Sequence, residues 1–274
     1  MGKKEKTRFL IVWLIITLVF LVGSFVVPSP EKSETVKVMM RDAVLHEENR
    51  CSFFGLMSVS PAMISAMVVS GILLLAALLI RIFAIPRFKM VPGKFQSAIE
   101  LLVSTFDNLA KTNSPRRNSF LGVYAFGAGV YIFVGTLFEL FGVQVMTISG
   151  HSVSLPAPLS DVNAAISLGV LSYFVIFAGG ILGNGVKGIS LGLKKFSLPL
   201  SMSFRLFGAL LSGLLVTELV YYYASLSYVL PVIVAVLFTL LHALIQSYVL
   251  TLLTTMFYGE LNAPLPKKVK PAKA

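Results

Sequence analysis

Six runs of apolar residues, each near the length of a membrane crossing, restrict what this chain can fold into. They extend from about Phe9 to Val27, Pro61 to Ile80, Phe120 to about Met146, Val162 to about Leu182, Pro199 to Tyr223 and Leu226 to about Tyr258. Roughly 20 helical residues cross a hydrocarbon layer, and only helices or closed barrels satisfy the backbone inside it. Composition agrees: 56% of the 274 residues are hydrophobic and 13% charged, against about 25% charged in a soluble domain. The chain therefore reads as an all-α polytopic membrane protein with about six transmembrane helices. No period of a repeat protein recurs, and no polar stretch is long enough for a separate soluble domain. Residues 1–58 form an N-terminal anchor helix and extracytoplasmic segment, 59–260 a membrane domain, and 261–274 a basic tail.

A net charge of +11 would suggest nucleic acid in a soluble protein. Position excludes that reading. Lys3, Lys4, Lys6 and Arg8 precede the first span, Lys267, Lys268, Lys270 and Lys273 follow the last, and Lys187, Lys194 and Lys195 separate the fourth and fifth. Arg81, Arg87, Lys89, Lys94, Lys111, Arg116 and Arg117 lie between the second and third. All these segments fall on one side if every span crosses, so the positive-inside rule gives six crossings with both termini cytoplasmic. Basic residues spread over separate loops make no nucleic-acid face. The single cysteine, Cys51, permits no internal disulfide.

The first 27 residues also have the basic start and apolar run of a signal peptide. No small-x-small site follows, because the exit reads Ser24-Phe25-Val26-Val27-Pro28, so an uncleaved signal anchor is expected. Between the second and third spans, Phe95, Ile99, Leu102, Val103, Phe106 and Leu109 recur at three- and four-residue steps. That spacing predicts an amphipathic helix lying flat on the cytoplasmic surface.

Arg205 is the residue that does not belong. A charge at mid-membrane costs about 2.5–3.5 kcal/mol on insertion scales, yet Arg205 stands inside the fifth span, in Ser-Met-Ser-Phe-Arg-Leu-Phe-Gly. Arginine keeps its proton at any realistic pH, so it cannot relay protons itself. It can attract a carboxylate, favour that group's ionisation and repel cations. The plainer alternative is an arginine that snorkels to the interface or pairs with an acid of its own chain. Glu218 lies 13 residues further along the same span, and His242 and Gln246 lie four apart in the last, on one helical face. Glu218 and His242 can exchange protons if the environment tunes them; individually, His242 could bond a backbone carbonyl and Gln246 act as interhelical glue. Gly208, Ala209, Ser212 and Gly213 are small residues on the Arg205 helix. They permit close approach of another helix, from this chain or a different one. Glu139 and Asp161 sit at the outer ends of the third and fourth spans, where each could line an entrance or cap a helix.

The segment from Leu198 to Gly213, centred on Ser-Phe-Arg-Leu-Phe-Gly, resembles the signature of subunit a of the F-type rotary ATP synthase. Three further pieces match in the same order. Pro158-Leu159-Ser160-Asp161-Val162-Asn163 is similar to the family's Asn-containing entry to its fourth helix. Ile245-Gln246-Ser247-Tyr248-Val249-Leu250-Thr251-Leu252-Leu253-Thr254 is similar to its last-helix motif, and Lys94 to Ala110 stands where the family has its surface helix. The resemblance covers roughly Phe54 to Tyr258 and leaves the first span as an addition to the family's five.

What the resemblance implies is an ion-translocating stator in a bacterial cell (inner) membrane. Its last two helices would be long and tilted against a ring of c subunits, with the peripheral-stalk subunit b and the rest of the complex as further partners. Arg205 would be the essential arginine facing each ring carboxylate and separating two aqueous half-channels. Gln246 would be its polar neighbour, and Glu218, His242, Asp161, Asn163 and Glu139 would mark the ion path. Gly208, Ala209, Ser212 and Gly213 would seat the ring. The carried ion would be the proton or sodium. No cofactor or metal is implied, and no Gly-x-x-x-x-Gly-Lys-Ser/Thr phosphate loop is present, so no ATP chemistry is expected of this chain. Two positions depart from the family pattern: Ala209 replaces an asparagine, and Leu214 a glutamate whose part Glu218 would take one turn on. The rival class is a secondary transporter binding a small anionic substrate at Arg205. Such folds repeat a broken helix in each half, and no second Arg/Gly-bearing span matches the fifth.

Overall fold

The computed structural model describes residues 3–26, 35, 37–38, 41, 51–53, 57–116, 119–146, 152–223 and 230–264. Helix α1 (Lys3–Val26) is apolar around its circumference. Its large side chains from Phe9 to Phe20 are exposed, the pattern of a helix whose solvent is lipid. A short antiparallel ladder, β1 (Cys51–Phe53) with β2 (Met57–Val59), pairs Cys51 with Val59. Helix α2 (Pro61–Leu79) begins at Ser60, whose Oγ accepts the Met63 N–H, with Pro61 at the first helical position. Its end runs through a π turn, Ile80–Ala84, and a 3-10 turn, Ile85–Arg87, where Pro86 cannot continue the ladder.

Helix α3 (Lys94–Asn113) is the expected amphipathic segment. Its C-terminal half packs into the protein: the Phe106 ring meets Phe126 edge-on at 6.0 Å, and Ala110 is fully buried. Its N-terminal half leaves Phe95, Leu101, Leu102 and Val103 exposed. Helix α4 (Ser119–Phe138) ends in a 3-10 turn, Glu139–Phe141, and Gly142 at φ 56°. This corrects the expected third span, which extended to about Met146. Left-handed glycine stops the helix, and Gln144–Met146 is a strand, β3, paired with β4 (Ser152–Ser154).

Four more helices follow: α5 (Val162–Asn184), α6 (Val186–Lys194), α7 (Ser197–Tyr223) and α8 (Leu230–Asn262). The short helix α6 was not foreseen. It fits because Gly188 and Gly192 bring it against α5, beside the Gly180 carbonyl and the Phe177 ring. Five segments are long and apolar enough to cross a membrane: Pro61–Arg87, Ser119–Phe141, Val162–Asn184, Ser197–Val216 and Val232–Asn262. The apolar part of α1 that is described, Thr7–Gly23, is shorter.

Helix α8 is the hub, packing on α3, α4, α5 and α7. One core joins Ile132 of α4, Ile176 of α5, Met202, Leu206 and Leu210 of α7, and Leu250 and Leu261 of α8. Lipid offers little hydrophobic drive between helices, so close packing and hydrogen bonds must hold them. Gly129 admits the Phe106 ring and Thr251, and its carbonyl accepts the Ser247 hydroxyl at 2.8 Å. Gly179 faces the Tyr258 ring and Gly183 faces Asn262. The basic end is laced by amides: Asn113 Nδ2 donates to Thr255 Oγ1 at 3.0 Å, Asn184 Nδ2 to the Leu261 carbonyl at 2.9 Å, and Asn262 Nδ2 to the Arg116 carbonyl at 2.6 Å. Lys195 adds an ion pair to Glu260 at 2.8 Å.

Candidate functional site

Helix α7 has two distinct sides. Met202, Ser203, Leu206 and Leu210 are buried against the rest of the bundle, with Gly169 of α5 close to the Pro199 carbonyl and Ser203. Ser201, Phe204, Arg205, Gly208 and Ser212 are exposed, and their three- and four-residue spacing makes them one stripe. Arg205 therefore sits at the centre of the face that the chain's own core does not use. Among the described residues it has no ion pair or hydrogen bond. Glu218 is on the same helix, 13 residues on, hence about 20 Å along the axis. That is beyond the combined reach of the two side chains, so Glu218 cannot neutralise Arg205; the Glu218 side chain lies outside the described residues.

The small residues divide. A methyl group added at Gly208 would meet nothing within 4 Å among the described residues, whereas one at Gly213 would lie 3.9 Å from His242 Nδ1. Gly208 and Ser212 thus open outward, Ala209 is half-buried, and Gly213 packs against α8 within the chain. Only part of the small-residue stretch faces away from the bundle.

The Gly213–His242 approach also sets the register of α7 on α8. The helices are consecutive with a six-residue connection, so they run antiparallel. Eight residues back from Gly213 is Arg205, and eight on from His242 is Leu250. Gln246 is four residues short of that level, about one helical turn along the axis. It is 6% exposed, and its Oε1 is buried without a hydrogen-bond partner among the described residues. A buried oxygen left without a donor costs about 1–3 kcal/mol, so the site invites a donor from water or a neighbouring group. The outward apolar stripe of α8, including Leu237, Leu241, Leu244, Ile245 and Tyr248, excludes Gln246.

His242 is half-buried, stacked on the Phe238 ring at 5.9 Å, with Nδ1 2.7 Å from the Phe238 carbonyl. A carbonyl can only accept, so Nδ1 donates this hydrogen bond. The same register places Glu218, five residues beyond Gly213, level with Leu237 of α8. On α4, Gly129 meets Ser247 and Thr251, and Glu139 ten residues further reaches the level of Leu237 to Leu241, where its turn touches α8. Glu139, Glu218 and His242 thus fall within about one and a half turns along α8, farther from the basic loops than Arg205. Sequence spacing within single helices gave no sign of this grouping across three.

Asp161 caps α5, accepting the Asn163 N–H on Oδ1 at 2.8 Å, while Oδ2 accepts the Ser60 hydroxyl at 2.8 Å. It therefore ties together the starts of α2 and α5, a tie between residues 101 positions apart that only the fold reveals. Asp161→Ala should cost about 1–2 kcal/mol of stability by removing the cap. A thermal-stability measurement beside an ion-flux assay checks it: lowered stability with flux kept marks a structural residue, and flux loss at unchanged stability marks an entrance. Asn163 is exposed on the first turn of α5, and Glu139 is half-buried.

A family model described as the ATP synthase A chain matches residues 63–259, from the first turn of α2 almost to the end of α8. The chain belongs to this family. It is a membrane subunit of the proton-translocating ATP synthase, and the chemistry of ATP resides in other subunits. The match takes in most or all of each of the five long apolar segments and every residue of the candidate site, and it excludes α1. Family membership and the exposed Arg205 stripe agree in one respect: a subunit of a larger assembly must leave a functional face open.

Proposed function

We propose that this chain is the stator of the membrane motor, against which a ring of c subunits turns as ions cross. The observation that carries the reading is Arg205, a permanent cation on the outer face of a membrane helix, flanked by Gly208 and Ser212 and unpaired among the described residues. In lipid such a charge needs a partner. A ring carboxylate passing at close range would supply one, and the small flanking residues would let its helix approach. The arginine would favour loss of the bound ion there and bar direct leakage between two aqueous half-channels. Gln246, about one turn away, would orient water or the guanidinium with its unpaired oxygen. Glu139, Glu218 and His242 would line the outer half-channel, with Asp161 and Asn163 near its mouth. The carried ion would be the proton, with sodium as the other candidate. The peripheral-stalk subunit b would hold the chain still in a bacterial cell membrane, both termini cytoplasmic.

Cross-linking tests the orientation. Single cysteines at Gly208 and Ser212, in the whole complex with Cys51 replaced by serine, should form disulfides with cysteines on the outer ring helices. A cysteine at buried Leu206 should not. Absence of ring cross-links from both outward positions would overturn the reading and favour a transporter binding a small anion at Arg205.

A further inference from the structure

We propose that the cleft between the end of α2 and the start of α3 binds the phosphate of an anionic phospholipid, whose acyl chains lie along α2. The cleft is open to its surroundings, has a volume of about 670 Å³ and is lined by Arg87, Lys89 and Lys94 together with Phe83, Phe88 and Phe95. The three cationic side chains are exposed, and none forms an ion pair among the described residues. Their convergence is built by the backbone. Gln96 clamps the turn to α3, its Nε2 donating to the Lys89 carbonyl at 2.9 Å and its Oε1 accepting the Lys89 N–H at 3.0 Å. Glu100, the acid nearest in sequence, is engaged by the same amide at 2.7 Å, and one carboxylate against three cations leaves a net excess of positive charge.

Position and lining together select a lipid. Arg87 is the last residue of the membrane segment Pro61–Arg87, so the cleft opens where hydrocarbon gives way to headgroups. Ile82, Phe83 and Ile85 are exposed on the last turns of α2, and Phe95 on the first turn of α3. A soluble anion would have no use for this apolar rim, whereas a phospholipid satisfies cations and rim at once. Basic pockets at helix ends on the basic side of a membrane take anionic headgroups in this way. The site is remote from Arg205 in sequence, uses none of its residues, and does not depend on the stator reading.

The test uses the whole complex in phosphatidylcholine vesicles containing a small fraction of photoactivatable phosphatidylglycerol, with labelled peptides mapped by mass spectrometry. Labelling should concentrate on residues 82–96 and be competed by unlabelled phosphatidylglycerol but not by inorganic phosphate. The variant R87Q/K89Q/K94Q should lose labelling there about tenfold or more, while K111Q, removing a charge elsewhere on α3, should keep it. The wild-type competition stands even if the triple variant fails to assemble. Equal labelling by a phosphatidylcholine probe would overturn the proposal, as would competition by free phosphate as strong as that by lipid. No labelling of 82–96 in the assembled complex would also overturn it and give the cleft to an acidic surface of a neighbouring subunit.

Discussion

Arg205→Ala is expected to abolish ion-driven ATP synthesis by vesicles carrying the complex, with assembly intact and passive ion leak unchanged or raised. The size of the effect follows from electrostatics. Two unit charges about 4 Å apart at an effective dielectric constant of about 20 attract by about 4 kcal/mol. On the proposed reading, a ring carboxylate opposite Arg205 is therefore ionised about a thousandfold more readily than one facing alanine. Without that bias the carboxylate keeps its ion in the apolar interface, rotation loses its direction, and the barrier between half-channels is gone. Arg205→Lys keeps the charge but gives up the planar fork and holds its water more tightly, so it should retain at most a small part of the rate. The assay is synthesis driven by an imposed ion gradient, beside leak measured by a pH-sensitive dye. Retained coupling in the alanine variant would remove Arg205 from the mechanism and reduce it to a structural charge.

The second large effect is expected far from the arginine. A methyl group added at Gly183 of α5 would collide with Asn262 of α8, lying 2.7 Å from its Cα and 2.8 Å from its carbonyl oxygen. These are backbone atoms, so no rotamer change relieves the clash and the helices must separate. Overpacking of this kind costs about 1–3 kcal/mol, and the separation also strains the Asn262 bond to the Arg116 carbonyl and the Asn184 bond to the Leu261 carbonyl. Gly183→Ala should lower the melting temperature of the purified complex and its yield. Gly208→Ala, whose added methyl meets nothing within 4 Å among the described residues, should leave the folded subunit unchanged while disturbing whatever packs on the outer face. Equal stability of the two variants would mean that the α5–α8 approach does not hold this fold together.

Several features were legible in the residues alone because they depend only on local chemistry. Twenty-residue apolar runs must be helices in lipid, and an arginine amid such runs announces itself by its cost. The amphipathic period of α3 was equally plain. Legibility ended where identity does not encode direction. Gly208 and Gly183 look alike as letters, yet one opens outward and the other touches the backbone of α8. Asp161 read equally well as a cap or an entrance until its Oδ2 was found on Ser60. The end of α4 was set too late because Val143 to Met146 is apolar enough for a helix, and Gly142 with the ladder to β4 overrode that preference.

By itself the sequence determined that the chain is helical, that it lives in a bilayer, and which single charge demands a partner. Those conclusions follow from transfer free energies, which belong to residues one at a time. Tertiary structure alone decided that Arg205 stands on the unused face of α7, that Gln246 stands about one turn from its level along the axis with a buried oxygen unpaired among the described residues, and that Glu139, Glu218 and His242 fall within about one and a half turns of α8. Such facts depend on the registers between α4, α7 and α8, fixed by contacts at Gly129 and Gly213 between segments far apart in the chain, and no local spacing carries them.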